Sequence, residues 1–297
     1  MMRIRCTNGW VVVGMMAAFL SLAAPPCQPA QLGAETVRAF DRYVSARETR
    51  MEGDAGKGAF LSLDLLPEEA RTASYAQLKN GAVLIRKSQE HDSSADVSVP
   101  GGLIHDWTGL IFVPGASLKQ TLALLQDYDH DEQYYRPDVV KSKLLERSGD
   151  EFRVSLRLRK VYVVETVFDT EYDVRYVLLD QTHAYSRSYS TRIAEVENPH
   201  HPGERENPPG EDHGFLWRLY SYWRFLQADG GTYVQCEAIS LTRGMPVGLG
   251  WIVRPFIEKI PAESLRFTLT ATRDALLKTN RRGKAQNAGI GALSSAP

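Results

Sequence analysis

The sequence predicts an α+β fold in which a curved antiparallel β-sheet wraps around a long C-terminal α-helix. Two observations carry this prediction. Across residues 141–243, apolar and polar residues alternate in successive segments separated by turn residues, which is typical of antiparallel strands. Across residues 261–278, apolar residues recur at helical spacing, so a long amphipathic helix follows the strands and needs a sheet to cover its apolar side.

The apolar side of this last helix is a stripe that also carries two hydroxyl groups. Its residues are Leu265, Thr268, Leu269, Thr272, Ala275 and Leu276. Pro261 is expected to begin the helix, because proline is tolerated in a first helical turn. The two threonines either bond back to their own helix or face an open space beside the sheet, and the sequence leaves both alternatives open.

The first thirty residues are predicted to be a secretory signal peptide. Arg3 and Arg5 precede an apolar run over residues 10–22, and small residues follow it. The run is short for a membrane span, so we expect cleavage and export to the periplasm or the extracellular space, with a retained N-terminal anchor as the alternative. A lipid anchor at Cys27 is not expected, because the Ala-Pro-Pro sequence before it is a poor match to a lipobox.

Three further segments follow the predicted signal peptide. Residues 31–100 are predicted to form a helical extension with one short strand, since their apolar content is too low for a core of their own. The main domain covers residues 101–279 and begins with a strand followed by a helix, whose start is marked by the capping box of Ser117 and Gln120. Residues 280–297, basic and then rich in glycine, alanine and serine, are expected to be disordered.

The clearest strand lies at residues 215–227, where large apolar residues alternate with arginines and tyrosines. Period-two alternation sends successive side chains to opposite faces of a sheet. One predicted face consists of Phe215, Trp217, Leu219, Trp223 and Phe225. The other predicted face consists of Arg218, Tyr220, Tyr222 and Arg224.

Four short motifs stand out along the main domain. They are Trp-Thr-Gly at residues 107–109, Pro-Gly at 114–115, Tyr-Val-Gln-Cys-Glu-Ala-Ile-Ser at 233–240, and Gly-Met-Pro at 244–246 before Trp251. Together with the order of elements, they resemble the helix-grip superfamily (SRPBCC), which includes START lipid-transfer domains, polyketide cyclases, coenzyme Q-binding START-like proteins and the birch-pollen allergen. The resemblance covers about residues 104–278. Within the superfamily, the run at residues 185–195 looks most like secreted bacterial proteins of unassigned role.

The resemblance implies a cavity between the curved sheet and the last helix, since these families share a cavity rather than a catalytic motif. Such a cavity would hold a flat or lipidic molecule between apolar walls with a few hydroxyl groups. The residues expected to line it are Trp107, Leu156, Trp217, Trp223, Phe225, Leu265, Leu269 and Thr272. The alternative is that the aromatic side chains fill the core and leave no space.

Composition and motifs argue against several other kinds of function. The formal net charge is -1 over 297 residues, which lacks the basic excess typical of nucleic-acid binding. The acidic run at residues 127–132 departs from an EF-hand loop, which needs glycine at its sixth position. His200, His201 and His213 fit no metal-ligand spacing. We therefore expect no nucleic-acid partner, no metal and no cofactor, and the few cysteines predict no disulfide framework.

Three charged strand positions bear on catalysis. Either His105 or Asp106 must face inward from the first strand, where it could act as a general acid or base on a bound carbonyl. Glu237, on the last strand, is predicted to form a buried salt bridge with Arg192 or Arg224. The sequence shows no catalytic constellation, so no residue is predicted to be catalytic.

The sequence favours an exported binding protein that holds or carries a hydrophobic small molecule or lipid, and it leaves contact with a membrane surface open. A cyclase- or dehydratase-type enzyme acting on a polyketide-like or aromatic substrate is the first alternative. That enzyme would need at least two inward titratable groups with displaced pKa values. A non-catalytic interaction domain, acting through arginine-rich faces of the sheet, is the second alternative.

Overall fold

The structure, a computed structural model, describes residues 30–56, 58–88, 99–161, 165–244 and 250–293. The predicted signal peptide, apart from its last residue Ala30, lies outside the described residues. The helices are α1 (Ala34–Gly56), α2 (Glu68–Lys79), α3 (Leu118–Leu125), α4 (Asp131–Tyr134) and α5 (Gly250–Leu293). The strands are β1 (Ala30–Gln31), β2 (Leu84–Lys87), β3 (Gly102–Pro114), β4 (Val139–Ser148), β5 (Glu151–Val161), β6 (Glu165–Leu178), β7 (His183–Glu197), β8 (Arg205–Glu206), β9 (Glu211–Asp212), β10 (Arg218–Ala228) and β11 (Gly231–Arg243).

The main sheet is antiparallel and brings the first and last long strands together. Its strand order is β2-β3-β11-β10-β7-β6-β5-β4, with β8 paired to β7. Local sequence explains the hairpin between β10 and β11, since Asp229 and Gly230 both adopt positive φ, as a tight two-residue turn requires. The sheet and the long helix after it confirm the predicted fold class.

Helix α5 packs on one face of this sheet, which we call the inner face. The buried core there brings Leu265, Leu269 and Leu276 of α5 against side chains from β3, β5, β6, β10 and β11. The closest approach is at Gly109 of β3, where an added Cβ would lie 2.4 Å from Leu269 Cδ1 and 2.8 Å from Ile85 Cδ1. Glycine at this position therefore lets α5 lie directly on β3.

Two predictions about the last helix are wrong. The backbone is helical from Gly250 through Pro261, so Pro261 does not begin the helix. Proline removes one backbone hydrogen bond, but packing of the following turns against the sheet stabilises the helix around it. The helix also continues to Leu293, past the predicted start of the disordered tail. The tail contains arginine, lysine, glutamine and alanine, which favour helix, and the compositional argument gave too much weight to its glycines.

The N-terminal extension covers the opposite face of the sheet, which we call the outer face. Phe40, Tyr43 and Val44 of α1 form a buried cluster with side chains of β10 and β11. Helix α2 and the 3-10 turn Ser62–Leu65 lie beside a second outer cluster that includes Leu110 and Tyr233. The helical extension that the sequence predicted for residues 31–100 therefore lies on the outer face.

The prediction that Trp217 shares a face with Trp223 is wrong. Trp217 packs in the outer cluster with Phe40, whereas Trp223 packs in the inner core. Regular alternation fails here because β10 begins only at Arg218, and the Trp217 indole donates a hydrogen bond to Asp212 Oδ1 at 3.0 Å before the strand starts.

In the part of the chain that the structure describes, no helix is long and apolar enough to span a membrane.

Candidate functional site

The inner face of the central strands carries a band of small hydroxylated side chains. Strand pairing places Ser186 opposite Trp223, and Ser188 opposite Ser221. Residues directly opposite in an antiparallel pair point to the same face, so these serines share the inner face with Trp223. Serine side chains leave more room above the sheet than the leucine and valine residues typical of a filled core. Leu219, Ser221 and Trp223 on β10 are only partly buried.

Tyr172 lies at the edge of this serine band with an unpaired hydroxyl group. It stands between Ser190 of β7 and Val154 of β5 in the sheet, and only 6% of its surface is exposed. Its Oη has no hydrogen-bond partner among the described residues. The nearby Thr170 hydroxyl instead donates to the Leu156 carbonyl oxygen at 2.8 Å. Burial raises the pKa of Tyr172 to about 12, so its hydroxyl keeps its proton at neutral pH.

Trp107 supplies a second unpaired donor on the inner face. It pairs with Ala238 of β11, which in turn pairs with Ser221. The side chain is partly buried against the inner core, and its Nε1 is buried without a hydrogen-bond partner among the described residues. An indole nitrogen can only donate. Trp107 and Tyr172 are four strands apart, roughly 19 Å along the sheet at the usual strand spacing.

The interior at the α3 and α4 end contains a cluster of hydrogen-bonded tyrosines. Tyr176 Oη lies 2.9 Å from Tyr128 Oη and donates to the Leu125 carbonyl oxygen at 3.0 Å. Tyr135 Oη lies 3.0 Å from Thr272 Oγ1, and the Thr272 hydroxyl donates to the Thr268 carbonyl oxygen at 2.8 Å. Burial raises the pKa values of all three tyrosines above the ordinary value, so they act as neutral hydroxyl groups.

Asp131 is a buried carboxyl beside this tyrosine cluster. It begins α4, and 6% of its surface is exposed. Burial raises its pKa well above the ordinary value, and the carboxylates of Asp127 and Glu132 add to the rise. Asp131 and the tyrosines therefore place several titratable groups with displaced pKa values inside the fold.

The predicted lining residues fall into three groups in the structure. Trp107, Leu156 and Trp223 lie on the inner face and are partly buried. Phe225, Leu265 and Leu269 are fully packed core residues, as the filled-core alternative predicted for the aromatic side chains. Thr272 is completely buried and its hydroxyl is satisfied within the protein, while Trp217 lies on the outer face. Thr268 also donates back to its own helix, to the Ser264 carbonyl oxygen at 3.0 Å.

Sequence reasoning missed Tyr172 and the serine band. Ser186, Ser188 and Ser190 alternate along β7 with larger residues, and that period-two pattern was a usable signal for a face of small residues. The unpaired state of Tyr172 had no sequence signal, because it depends on which groups fold against it. Tyr135 is buried in the interior cluster.

The outer face differs, because its charged groups are paired with one another. Arg47 of α1 donates to Glu237 Oε1 at 2.7 Å and lies 3.2 Å from Asp106 Oδ2. Tyr43 and Ser88 donate to the two oxygens of Asp106 at 2.8 and 2.6 Å. The predicted buried salt bridge of Glu237 is therefore present, but its partner is Arg47 rather than Arg192 or Arg224.

His105 and Asp106 occupy opposite faces of β3. His105 Nε2 lies 3.0 Å from Thr242 Oγ1, and strand alternation places His105 on the inner face. Asp106 is held in the outer network and cannot reach a ligand on the inner face. The proposed general acid or base of this pair is therefore limited to His105.

The residues considered as metal ligands make other contacts. Asp129 accepts a hydrogen bond from the Leu144 amide, and Glu132 accepts from the Ser142 amide and hydroxyl. His213 Nδ1 lies 2.6 Å from Glu195 Oε1. Among the described residues, no group of three or more His, Cys, Asp or Glu side chains is arranged to hold a metal ion.

A cavity of about 270 Å³ lies outside the sheet–helix interior, between the β10–β11 turn and the start of α3. Its polar side chains already have partners. Ser117 bonds to Gln120, Gln227 accepts from the Leu118 amide, and Asp229 accepts from Lys79. This cavity therefore offers a ligand no unpaired side-chain group of these three residues.

The strand order and the final helix are those of the helix-grip fold. Similar solved structures include a STAR-related lipid transfer protein from Xanthomonas axonopodis, with 18% identity over 65% of this chain and 98% of that one, at a TM-score of 0.43. The Zhui aromatase/cyclase from Streptomyces sp. R1128 has 16% identity over 59% of this chain and 95% of that one, at a TM-score of 0.39. The human StarD13 lipid transfer and protein localization domain has 9% identity over 71% of this chain and 98% of that one, at a TM-score of 0.42.

At these identities and TM-scores, the three structures are similar to this chain in fold alone. No protein-family profile matches this helix-grip chain, and no curated protein matches it significantly.

Proposed function

We propose that this helix-grip domain binds an apolar small molecule or lipid between the inner face and α5. The observation that carries the proposal is the combination of partly buried Trp107, Leu156, Leu219 and Trp223 with the serine band beside them. Large apolar side chains that stay partly buried around small polar ones are typical of a ligand site rather than of a close-packed core.

The position of α5 supports the same proposal. The contact at Gly109 holds the helix against β3, at one side of the inner face. Ser186 and Ser188 lie on β7, three strands away from β3 in the sheet order. A single helix is about 10 Å across, so α5 cannot pack equally closely on β3 and on the serine band.

Export is a second part of the proposal. Residues 1–30 have the charged, apolar and small-residue regions of a secretory signal, and we propose that the mature domain acts in the periplasm or outside the cell. Expression of the full chain in a bacterial host tests this directly. The N-terminus of the exported protein, read by mass spectrometry, should begin between residues 24 and 31, and full-length protein retained in the cytoplasm would contradict it.

Ligand binding is tested by native mass spectrometry of the full chain, purified without detergent. We expect an added mass that denaturation releases and that organic extraction recovers as an apolar compound. Transfer of a fluorescent lipid between vesicles then distinguishes a carrier from a protein that only holds its ligand. Repeated absence of any added mass, together with no thermal shift from lipids or quinones, would refute the proposal.

A matched pair of variants on one strand locates the site. Trp223→Ala removes an inner-face side chain and should weaken binding of the recovered ligand at least tenfold, since contacts of large aromatic side chains dominate binding in apolar sites. Tyr220→Ala removes a partly buried side chain from the outer face of the same strand and should leave the affinity unchanged. Equal effects of the two substitutions in folded protein would place the ligand elsewhere.

An enzyme of the cyclase or dehydratase type is the second candidate, and Asp131 is the observation that favours it. A buried carboxyl beside Tyr135 whose pKa is raised by burial is suited to donate a proton to a ligand carbonyl. Asp131→Asn should then abolish turnover of a polyketide-like substrate while leaving its binding intact.

A non-catalytic interaction domain that acts through arginine-rich faces of the sheet is disfavoured. The outer-face arginines all pair with carboxylates; they are Arg153, Arg157, Arg187 and Arg192.

A further inference from the structure

Tyr172 differs from the other buried tyrosines in its hydrogen bonding. Tyr43 and Tyr222 donate to carboxylates on the outer face, at 2.8 and 2.9 Å. Tyr135 and Tyr176 bond to hydroxyl groups in the interior cluster, as given above. Tyr172 is 94% removed from solvent and has no partner among the described residues. A buried hydroxyl without a partner is costly and rare in native proteins, and a bound ligand is one of the few explanations for it.

The surroundings of Tyr172 show which ligand group it can meet. Its neighbours across the sheet are Ser190 and Val154. The Ser190 hydroxyl oxygen accepts the Leu219 amide at 3.0 Å, and the Thr170 hydroxyl donates to the Leu156 carbonyl oxygen. The Thr170 side chain lies close enough to Tyr172 to lower its pKa, but no hydrogen bond of normal geometry joins the two hydroxyl groups. The Tyr172 hydroxyl proton is therefore available as a donor, and its natural complement is an oxygen acceptor.

The charges on the inner face further limit which classes of ligand can bind there. Inner-face positions around Tyr172 on β5, β6, β7 and β10 are serine, threonine, aromatic and aliphatic residues. Lys160 lies farther along the inner side of β5 and is ion-paired with Asp138. A carboxylate or phosphate buried beside Tyr172 would therefore meet no unpaired cation among the described inner-face residues, and burying an unpaired charge is unfavourable.

We propose that the Tyr172 hydroxyl donates a hydrogen bond to a neutral oxygen acceptor on the ligand. The ligand class is an apolar molecule with a ketone, ester or similar uncharged oxygen, as opposed to a fatty-acid anion or a pure hydrocarbon. This inference rests on the proposed ligand site at the inner face, and it adds the chemical group that the site selects.

Three naphthalenes of nearly the same shape test the selection. Acetylnaphthalene carries a ketone, isopropenylnaphthalene replaces that oxygen with a methylene group, and naphthoate replaces the acetyl group with a carboxylate, all at the same ring position. Binding of each is measured by calorimetry at neutral pH to the wild-type full chain, to Tyr172→Phe, and to the control Tyr220→Phe, which removes an outer-face hydroxyl. Thermal unfolding of the three proteins checks that each is folded.

We expect the wild type to bind the ketone most tightly and the carboxylate most weakly. Tyr172→Phe should weaken ketone binding about tenfold, leave the hydrocarbon unchanged, and so remove the preference between them. Tyr220→Phe should behave as wild type. An unchanged preference in Tyr172→Phe, or tighter binding of naphthoate than of the ketone, would overturn this inference while leaving the proposed ligand site standing. Binding of none of the three would also overturn it, and would count against the ligand site itself only if native mass spectrometry finds no ligand.

Discussion

The two faces of the central strands differ in the hydrogen bonding and ion pairing of their buried polar groups. On the outer face, Asp106 and Glu237 are buried, and each has a charged partner in the partly buried Arg47. On the inner face, Tyr172 and Trp107 keep donors without partners, beside a band of serines. Burying charge requires a complete set of partners, so the outer face is organised to hold α1 in place. The inner face is organised to leave hydrogen-bonding capacity for another molecule.

The largest expected effect comes from breaking the outer network at Arg47. Arg47→Met leaves the Asp106 and Glu237 carboxyls buried without their guanidinium partner. Loss of one member of a buried ion pair typically costs about 3–5 kcal/mol, and urea unfolding at neutral pH measures it. Arg38→Met, at an exposed position on the same helix, should change stability by less than about 0.5 kcal/mol. Equal stability of the two variants would show that the network does not hold α1.

The second prediction concerns the contact between α5 and β3. Gly109→Ala adds a methyl group where Leu269 Cδ1 and Ile85 Cδ1 already lie within 3 Å of its position, so those side chains must move. Overpacking of this kind costs about 1–3 kcal/mol. Gly53→Ala in α1 is the control, because nothing lies within 4 Å of the added carbon and alanine favours helix. A stabilised Gly109→Ala protein would mean that α5 does not rest on β3.

The third prediction uses pH to separate the two faces. Burial, and then the neighbouring Asp106, raise the pKa of Glu237 to about 7, whereas its ordinary value is 4.5. The folded state therefore binds this proton more tightly than the unfolded state. The resulting stability is fully present below pH 4.5 and is lost as the pH rises through 7.

Urea unfolding of the wild type should accordingly show lower stability at pH 8 than at pH 5. Glu237→Gln cannot titrate, so its decrease over the same interval should be smaller by about 2 kcal/mol. Inner-face Tyr172→Phe should keep the wild-type decrease, because a hydroxyl whose pKa is raised to about 12 does not titrate in this interval. Parallel pH profiles for Glu237→Gln and the wild type would mean that Glu237 stays ionised throughout.

The elements whose sequence pattern is local could be predicted, and contacts between distant segments could not. The capping box at Ser117 and Gln120 is present, with the Gln120 amide donating to Ser117 Oγ at 3.2 Å, because both partners lie within one turn. The apolar stripe of α5 likewise packs its leucines on the sheet. The partner of Glu237 lies 190 positions away in the sequence, at Arg47, and no periodicity connects the two.

Which face of the sheet a residue occupies could be predicted in part, because alternation is local. Period-two alternation places Leu156 and Trp223 on the inner side, where both lie within a regular strand. It misplaced Trp217, which precedes its strand. Thr268 and Thr272 could not be decided from sequence, since helical spacing places a threonine on a face without saying whether its hydroxyl bonds back along the helix.

The smallest expected effect gives the most direct comparison of the two faces. Tyr222→Phe removes an outer-face hydroxyl that donates to Glu48 Oε1 at 2.9 Å, and loss of a hydrogen bond to a charged group should lower stability by about 1–2 kcal/mol. Tyr172→Phe removes an inner-face hydroxyl that has no partner among the described residues, so ligand-free protein should lose nothing or gain about 0.5 kcal/mol. Both variants keep the aromatic ring, so packing is unchanged and the difference in unfolding free energy reports the hydrogen bonds alone. If Tyr172→Phe lost as much stability as Tyr222→Phe in delipidated protein, an internal partner such as ordered water would satisfy the Tyr172 hydroxyl, and the two faces would not differ in the way described above.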